Sequence, residues 1–209
     1  MEPVQLIYHL NFPQKGNNLF NKKYDTLVWV SILLSLFFLI TCSKQVDEEL
    51  YLNKTKSVVQ VFKTELQTNL FRAIQERGAE NSIEVCSELS PAIEEKIASE
   101  NNFKIKRVSE KFRNKNHEPD EWEKKVLQNW SRELKDGKKL TVFSEIQNAE
   151  YRVMNPIVLD NANCLQCHGS KNEINPKTLE KIQAKYPNDK ARDFKLGELR
   201  GAFSSRWKI

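Results

Sequence analysis

Leu140-Thr141-Val142-Phe143-Ser144-Glu145-Ile146 and Tyr151-Arg152-Val153-Met154-Asn155-Pro156-Ile157-Val158 are two alternating runs joined by the short polar link Gln147-Asn148-Ala149. Aromatic and β-branched residues alternate with polar ones, the period-two pattern of a strand with two unlike faces. A link this short joins neighbouring antiparallel strands, so the pair reads as a hairpin and the sheet as antiparallel. Phe103-Lys104-Ile105-Lys106-Arg107-Val108 upstream and Leu199 to Trp207 downstream read as two further strands.

The rest of the chain is helical in period. Val59, Phe62, Leu66, Leu70 and Ile74 recur every three or four residues from Thr55 on, and Gly78 is a natural stop. A second helical stretch from Asn81 or Ser82 carries Ile83, Cys86 and Leu89 on one face. Pro91, after Ser90, predicts a separate or kinked helix with Ile93 and Ile97. Arg113 to Pro119 reads as a loop. A helix from Asp120 to Lys135 turns Trp122, Val126, Trp130 and Leu134 inward, with Gly137 closing it, and another runs from Lys177 to Lys185. Helices first, then strands with helical insertions, give the α+β class.

Directly after the hairpin comes Cys164-Leu165-Gln166-Cys167-His168. Cys-x-x-Cys-His is the attachment pattern of a c-type haem. Two thiols add across the vinyl groups, and the adjacent imidazole is held close enough to ligate the iron. A thioredoxin-type redox pair belongs at a helix start after a strand. Here Asn161, Asn163 and Gly169 instead read as a loop. A zinc site needs a fourth ligand, for which Cys86 or His117 are the candidates. The motif therefore predicts one covalent haem c, with Cys164 and Cys167 as thioethers and His168 on the iron. For the opposite iron face the residues leave open Cys86, His117, Met154 or an open site.

Leu27 to Thr41 is an uncharged apolar run preceded by Lys22 and Lys23 and followed by Asp47, Glu48 and Glu49. This is the pattern of an export signal or membrane anchor, with the remainder outside the membrane. Cys42 closes the run and is a lipidation candidate, although Thr41 replaces the usual smaller residue. The expected organisation is a signal or anchor over 1–42, a linker over 43–57 and one domain over 58–209. The expected location is the periplasmic side of a bacterial membrane. The four cysteines are too few for a disulfide scaffold. A net charge of +5, with no dense basic block, argues against nucleic acid as a partner.

A further set of pieces occurs in a familiar order. These are Ala73-Ile74, Ile83-Glu84-Val85-Cys86, Ser90-Pro91-Ala92-Ile93, Arg113-Asn114, Pro119-Asp120 with Trp122-Glu123, the haem motif, Tyr186-Pro187-Asn188-Asp189 and Leu199 to Ser204. From about Val58 to Trp207 the chain resembles the PAS-like monohaem c-type domain first described in a cyanobacterium. That domain also forms the extracytoplasmic part of some bacterial sensor kinases and chemoreceptors. The resemblance implies a PAS-like antiparallel sheet and Cys86 as the iron ligand opposite His168. Arg113 and Arg200 are candidates for pairing with the haem propionates, since Arg binds carboxylates bidentately.

A thiolate opposite histidine lowers the reduction potential, and two filled axial positions disfavour a haem enzyme such as a peroxidase. What remains is sensing of redox state or of a small gas (NO or CO), with a low-potential electron carrier as the alternative. The sequence ends two residues after Trp207, so a signal is expected to pass to a partner protein.

Overall fold

A computed structural model describes residues 46–101 and 103–209. The apolar run Leu27–Thr41 and Cys42 lie outside the described residues. Among the described residues, no helix is long and apolar enough to cross a membrane.

The domain opens with α1, Glu48–Arg77. Asp47 caps it by accepting from the Leu50 N–H (2.9 Å), and Glu48 and Glu49 complement the helix dipole at that end. The helix thus begins seven residues before Thr55, so the stretch expected as a linker over 43–57 is helical from Glu48 on. The inward stripe continues there through Thr55 and Tyr51, residue types that do not stand out in an apolar pattern. Gly78, with φ +80°, ends the helix and donates to the Ile74 carbonyl (3.0 Å).

The helix that follows is not broken at Pro91. A π-helical turn, Val85–Leu89, runs directly into α2, Ser90–Asn101. Pro91 has no N–H to donate to the carbonyl four residues earlier, so the ladder is interrupted there. The chain widens instead: the Ser90 N–H reaches back five residues to the Val85 carbonyl.

Four strands follow: β1 (Phe103–Val108), β2 (Phe143–Gln147), β3 (Glu150–Val158) and β4 (Leu199–Lys208). They form one antiparallel sheet in the order β1-β4-β3-β2. The α+β class with an antiparallel sheet therefore holds. β2 starts at Phe143, and Leu140 to Val142 lie before it. The hairpin turn is the pair Asn148 and Ala149, with φ of 53° and 57°. Two central residues at positive φ make the turn whose twist suits a two-residue hairpin.

Both faces of the sheet are covered. Tyr151 and Val153 of β3 and Phe203 and Trp207 of β4 pack against α1 and α2, around Phe62, Leu66 and Ile93. Trp207 stacks on Phe103 (centroids 4.2 Å apart), and its indole N–H donates to Thr55 Oγ1 (2.8 Å). Met154, Ala202 and Val108 point the other way, onto Val126, Leu127 and Trp130 of α3 (Glu121–Lys135).

Beside that second core lies a charged cluster. Glu123 is fully buried. Its carboxylate accepts from Ser204 Oγ (2.6 Å), from Arg152 and Arg206 (3.3 Å each) and from the Asp120 N–H (2.8 Å). Lys106 Nζ lies 3.3 Å away. Arg152 and Arg206 are direct cross-strand neighbours. Asp120, which accepts from both at 2.6 Å, relieves the repulsion that like charges would have there.

The remaining elements close one end of the sheet. They are the short helix α4 (Leu165–His168), α5 (Pro176–Lys185) and the loop from Tyr186 to Glu198. That loop straps over α4: the Phe194 N–H donates to the His168 carbonyl (3.0 Å) and the Asp193 N–H to the Gly169 carbonyl (2.9 Å).

Candidate functional site

The Cys164–His168 motif is not in an open loop. Asn161 accepts from the Asn163 N–H (2.9 Å) and starts a 3-10 turn over Ala162–Cys164, which continues into α4. The helical path puts Cys164 and Cys167 three residues apart, neighbours on one face. Gly169 follows the helix, at a position where a Cβ would lie only 2.7 Å from the Leu165 carbonyl.

Beside this turn is a cavity of about 490 Å³, within the size range of cofactor sites. Several stretches far apart in the chain meet in its wall. The π turn contributes Cys86, α4 and the preceding turn contribute Cys164 and His168, and the sheet contributes Phe203 and Ile157. Cys167 lies outside the lining, as a half-buried thiol. Among the described residues, no group of three or more His, Cys, Asp or Glu side chains could hold a metal ion by itself. A zinc site needs three or four such ligands, whereas a porphyrin brings four of iron's ligands with it.

His168 Nδ1 lies 2.8 Å from the Ala191 carbonyl. A carbonyl only accepts, so Nδ1 carries the proton and Nε2 keeps its lone pair, the tautomer a metal ligand needs. Burial holds the imidazole well below its ordinary pKa, helped by the charges of Arg200 and Arg113. The ring is therefore neutral at neutral pH. Burial likewise raises the Cys164 thiol, with Asp160 adding to it. It pushes Cys167 up to about 11 against the pull of Arg113.

The basic groups divide into two kinds. Arg113 is engaged by the protein: it donates to Asp189 Oδ1 (3.0 Å), to the Cys167 carbonyl (2.6 Å) and to the Ala191 carbonyl (3.2 Å). It thereby holds the same carbonyl that orients His168. Arg200 makes one hydrogen bond, to the Lys111 carbonyl (3.2 Å), and lies over the Phe194 ring. Burial and the guanidiniums of Arg113 and Arg107 push its pKa down to about 9. It stays charged at neutral pH, in a cavity wall already crowded with positive charge.

Sequence reasoning passed over Arg107 and Asn155, which also line the cavity. The signal was present, since each is a polar residue at an inward position: Arg107 after Phe103 and Ile105, Asn155 after Tyr151 and Val153. The other two candidates for the second iron ligand fare differently. His117 lines the cavity, 3.5 Å from Glu94 and mostly buried rather than solvated. Met154 lies under α3, on the face of the sheet away from the cavity.

The profile of the Tll0287-like family matches residues 43–207. Among solved structures, the crystal structure of the cyanobacterial heme-protein Tll0287 is similar. It is 24% identical, with a TM-score of 0.61, and the match covers 77% of this chain and 94% of that one. At this identity the likeness speaks for the fold alone. No curated protein matches. With a family profile spanning the helices, the sheet and the cavity wall together, this chain belongs to the Tll0287-like family.

Proposed function

We propose that this protein binds one covalent haem c and serves in redox or gas sensing. The observation that carries the reading is the convergence of Cys86, Cys164 and His168 on one cavity whose basic side chains outnumber its acidic ones. In this reading Cys164 and Cys167 form the thioethers, His168 ligates the iron through Nε2, and Cys86 ligates the opposite face. Arg200 is the basic group on the propionate side, and Arg113 braces the Cys167 and Ala191 carbonyls beside the motif. The haem supplies an iron centre that changes oxidation state and binds diatomic gases. The similar cyanobacterial protein Tll0287 is a heme-protein, which supports the same cofactor.

Sensing is favoured over plain electron transfer by where Cys86 sits. A π turn competes with the α-helical register and adjusts without melting the helix. Release of the Cys86 thiolate is thus an event that the helix from Val85 through α2 is built to register. A low-potential electron carrier is the second reading, supported by the presence of candidate ligands for both iron faces. The apolar run Leu27–Thr41 and Cys42 support an exported, membrane-attached protein on the periplasmic side, with a signalling or redox partner protein.

Absorption and EPR spectra of the purified ferric and ferrous forms, compared with Cys86→Ala, test the reading. We expect a low-spin ferric spectrum that becomes high-spin or gains a new ligand in the variant, and CO or NO binding to the ferrous form. Unchanged low-spin spectra in Cys86→Ala would exclude it as the ligand. Reversible cycling without ligand exchange would favour the carrier.

A further inference from the structure

We infer that Arg107, Asn155 and Arg200 form a built anion site in the cavity wall, and that its ligand is the pair of carboxylates on a tetrapyrrole. The inference rests on the haem reading and moves the second carboxylate contact from Arg113 to Arg107 and Asn155.

The first observation is unmet hydrogen-bonding capacity. Asn155 is 8% exposed, and its Nδ2 has no hydrogen-bond partner. Arg107 Nε is buried and likewise has none, and among the described residues the carboxylate that pairs with it is Glu94, at 3.9 Å. Buried donors without acceptors are uncommon and costly in a folded protein. Both line the one cavity. They also share a row of the sheet: Arg107 and Asn155 are the register partners of Phe203 from either side. The unmet donors therefore stand along one line across β1, β4 and β3.

The second observation is the way Arg200 reaches the same wall. Strand alternation would place Arg200 with Ala202 and Ser204, on the face covered by α3. The register shifts here: Ile157 pairs with Gly201, and Val158 with Leu199. Arg200 is the extra residue of this bulge, and bulges re-aim side chains beside functional sites. The result is that Arg200 lines the cavity. Gly201 permits it, because any Cβ there would lie 2.2 Å from the Val108 carbonyl. Among the described residues no carboxylate forms an ion pair with Arg200. Arg113, by contrast, already has Asp189.

Asn155 Nδ2 and Arg107 Nε thus have no hydrogen-bond acceptor in the protein, and Arg200 has only the Lys111 carbonyl, while all three residues line the same cavity. A ligand with two carboxylates on one edge and an apolar body matches both this row and the apolar lining.

The test uses the full chain made without haem attachment, titrated with haemin, with iron-free protoporphyrin IX and with protoporphyrin IX dimethyl ester. The iron-free pair removes Cys86 and His168 ligation from the comparison. We expect the diacid to bind at least about tenfold more tightly than the diester. That ratio should fall toward one in Arg107→Gln, Arg200→Gln and Asn155→Leu, and persist in Arg113→Gln. Asn155→Leu keeps the net charge and the approximate volume, so it decides the matter if an arginine variant fails to fold. Equal binding of diacid and diester overturns the site. So does loss of the ratio in Arg113→Gln but not in Arg107→Gln. If haemin binds and protoporphyrin does not, affinity lies in iron ligation and the site is overturned while the haem reading stands. If neither binds, the haem reading fails and the site with it.

Discussion

At the scale of single residues, Glu123 shows how much a buried charge depends on its company. Its carboxylate is fully buried and is shared by Arg152, Arg206, Lys106 and Ser204. Glu123→Gln leaves those cations facing a neutral amide. We expect a loss of about 3 kcal/mol or more, read as a lower denaturant midpoint at unchanged slope. Asp120 acts on the same pair from a more open position. Burial opposes its charge, but the Glu123 N–H and the Arg152 and Arg206 guanidiniums outweigh this and hold its pKa below the ordinary aspartate value. Its contribution is therefore fully present above about pH 4 and lost as the pH falls through the folded value. Stability measured from pH 5 down to 2 should fall less steeply in Asp120→Asn. Legibility at this scale was uneven. Cys164, Cys167 and His168 were readable because they form one contiguous motif of fixed spacing. Arg107 and Asn155 were readable in principle, as polar residues at inward strand positions. The orientation of Arg200 was not, because a bulge reverses the alternation on which such a reading depends.

Among elements, the hairpin turn gives the simplest expectation. Ala149 holds a φ of 57°, a region that favours glycine. Ala149→Gly should raise stability by roughly 0.5–1 kcal/mol if relief of strain exceeds the entropy added to the unfolded chain. Thermal unfolding checks the sign. Helix ends were legible wherever capping chemistry marked them, as at Asp120 with its reciprocal Glu123 contact and at Gly78. The start of α1 was not, because its first turns bury Tyr51 and Thr55 rather than a row of aliphatics. The π turn was half-legible. Pro91 signalled an interruption, but the sequence does not say whether a helix answers with a break or with a wider turn. Here the downstream apolar positions Ile93 and Ile97 stay buried against the sheet, which favours continuity.

For the molecule as a whole, two cores share one sheet, and only one end of it adjoins the cavity. The α1 and α2 side and the α3 side each hold a packed apolar cluster. Around Leu159, Ala191 and Phe194 the packing is smaller and depends on Cys164 and Leu165. Hydrogen exchange should show this division. In haem-free protein, β3, β4 and α3 should remain protected, while residues 160–198 exchange rapidly and gain protection on haem attachment. Equal protection of both regions in the haem-free chain would mean the cavity is preformed rather than completed by its ligand. Strand order was beyond the reach of pattern alone. Alternation identifies each strand and its faces, but nothing local tells β4 to enter between β1 and β3.

That insertion has a consequence in time. β4 follows the other strands in the chain, yet it is hydrogen-bonded to two of them. Until residues 199–208 are in place, β1 and the β2–β3 hairpin have no strand between them, and the cavity lacks the wall that Arg200 and Phe203 provide. Cys164 and Cys167 precede that strand in the chain. The wall facing Cys164 is therefore the last part of the cavity that folding can supply.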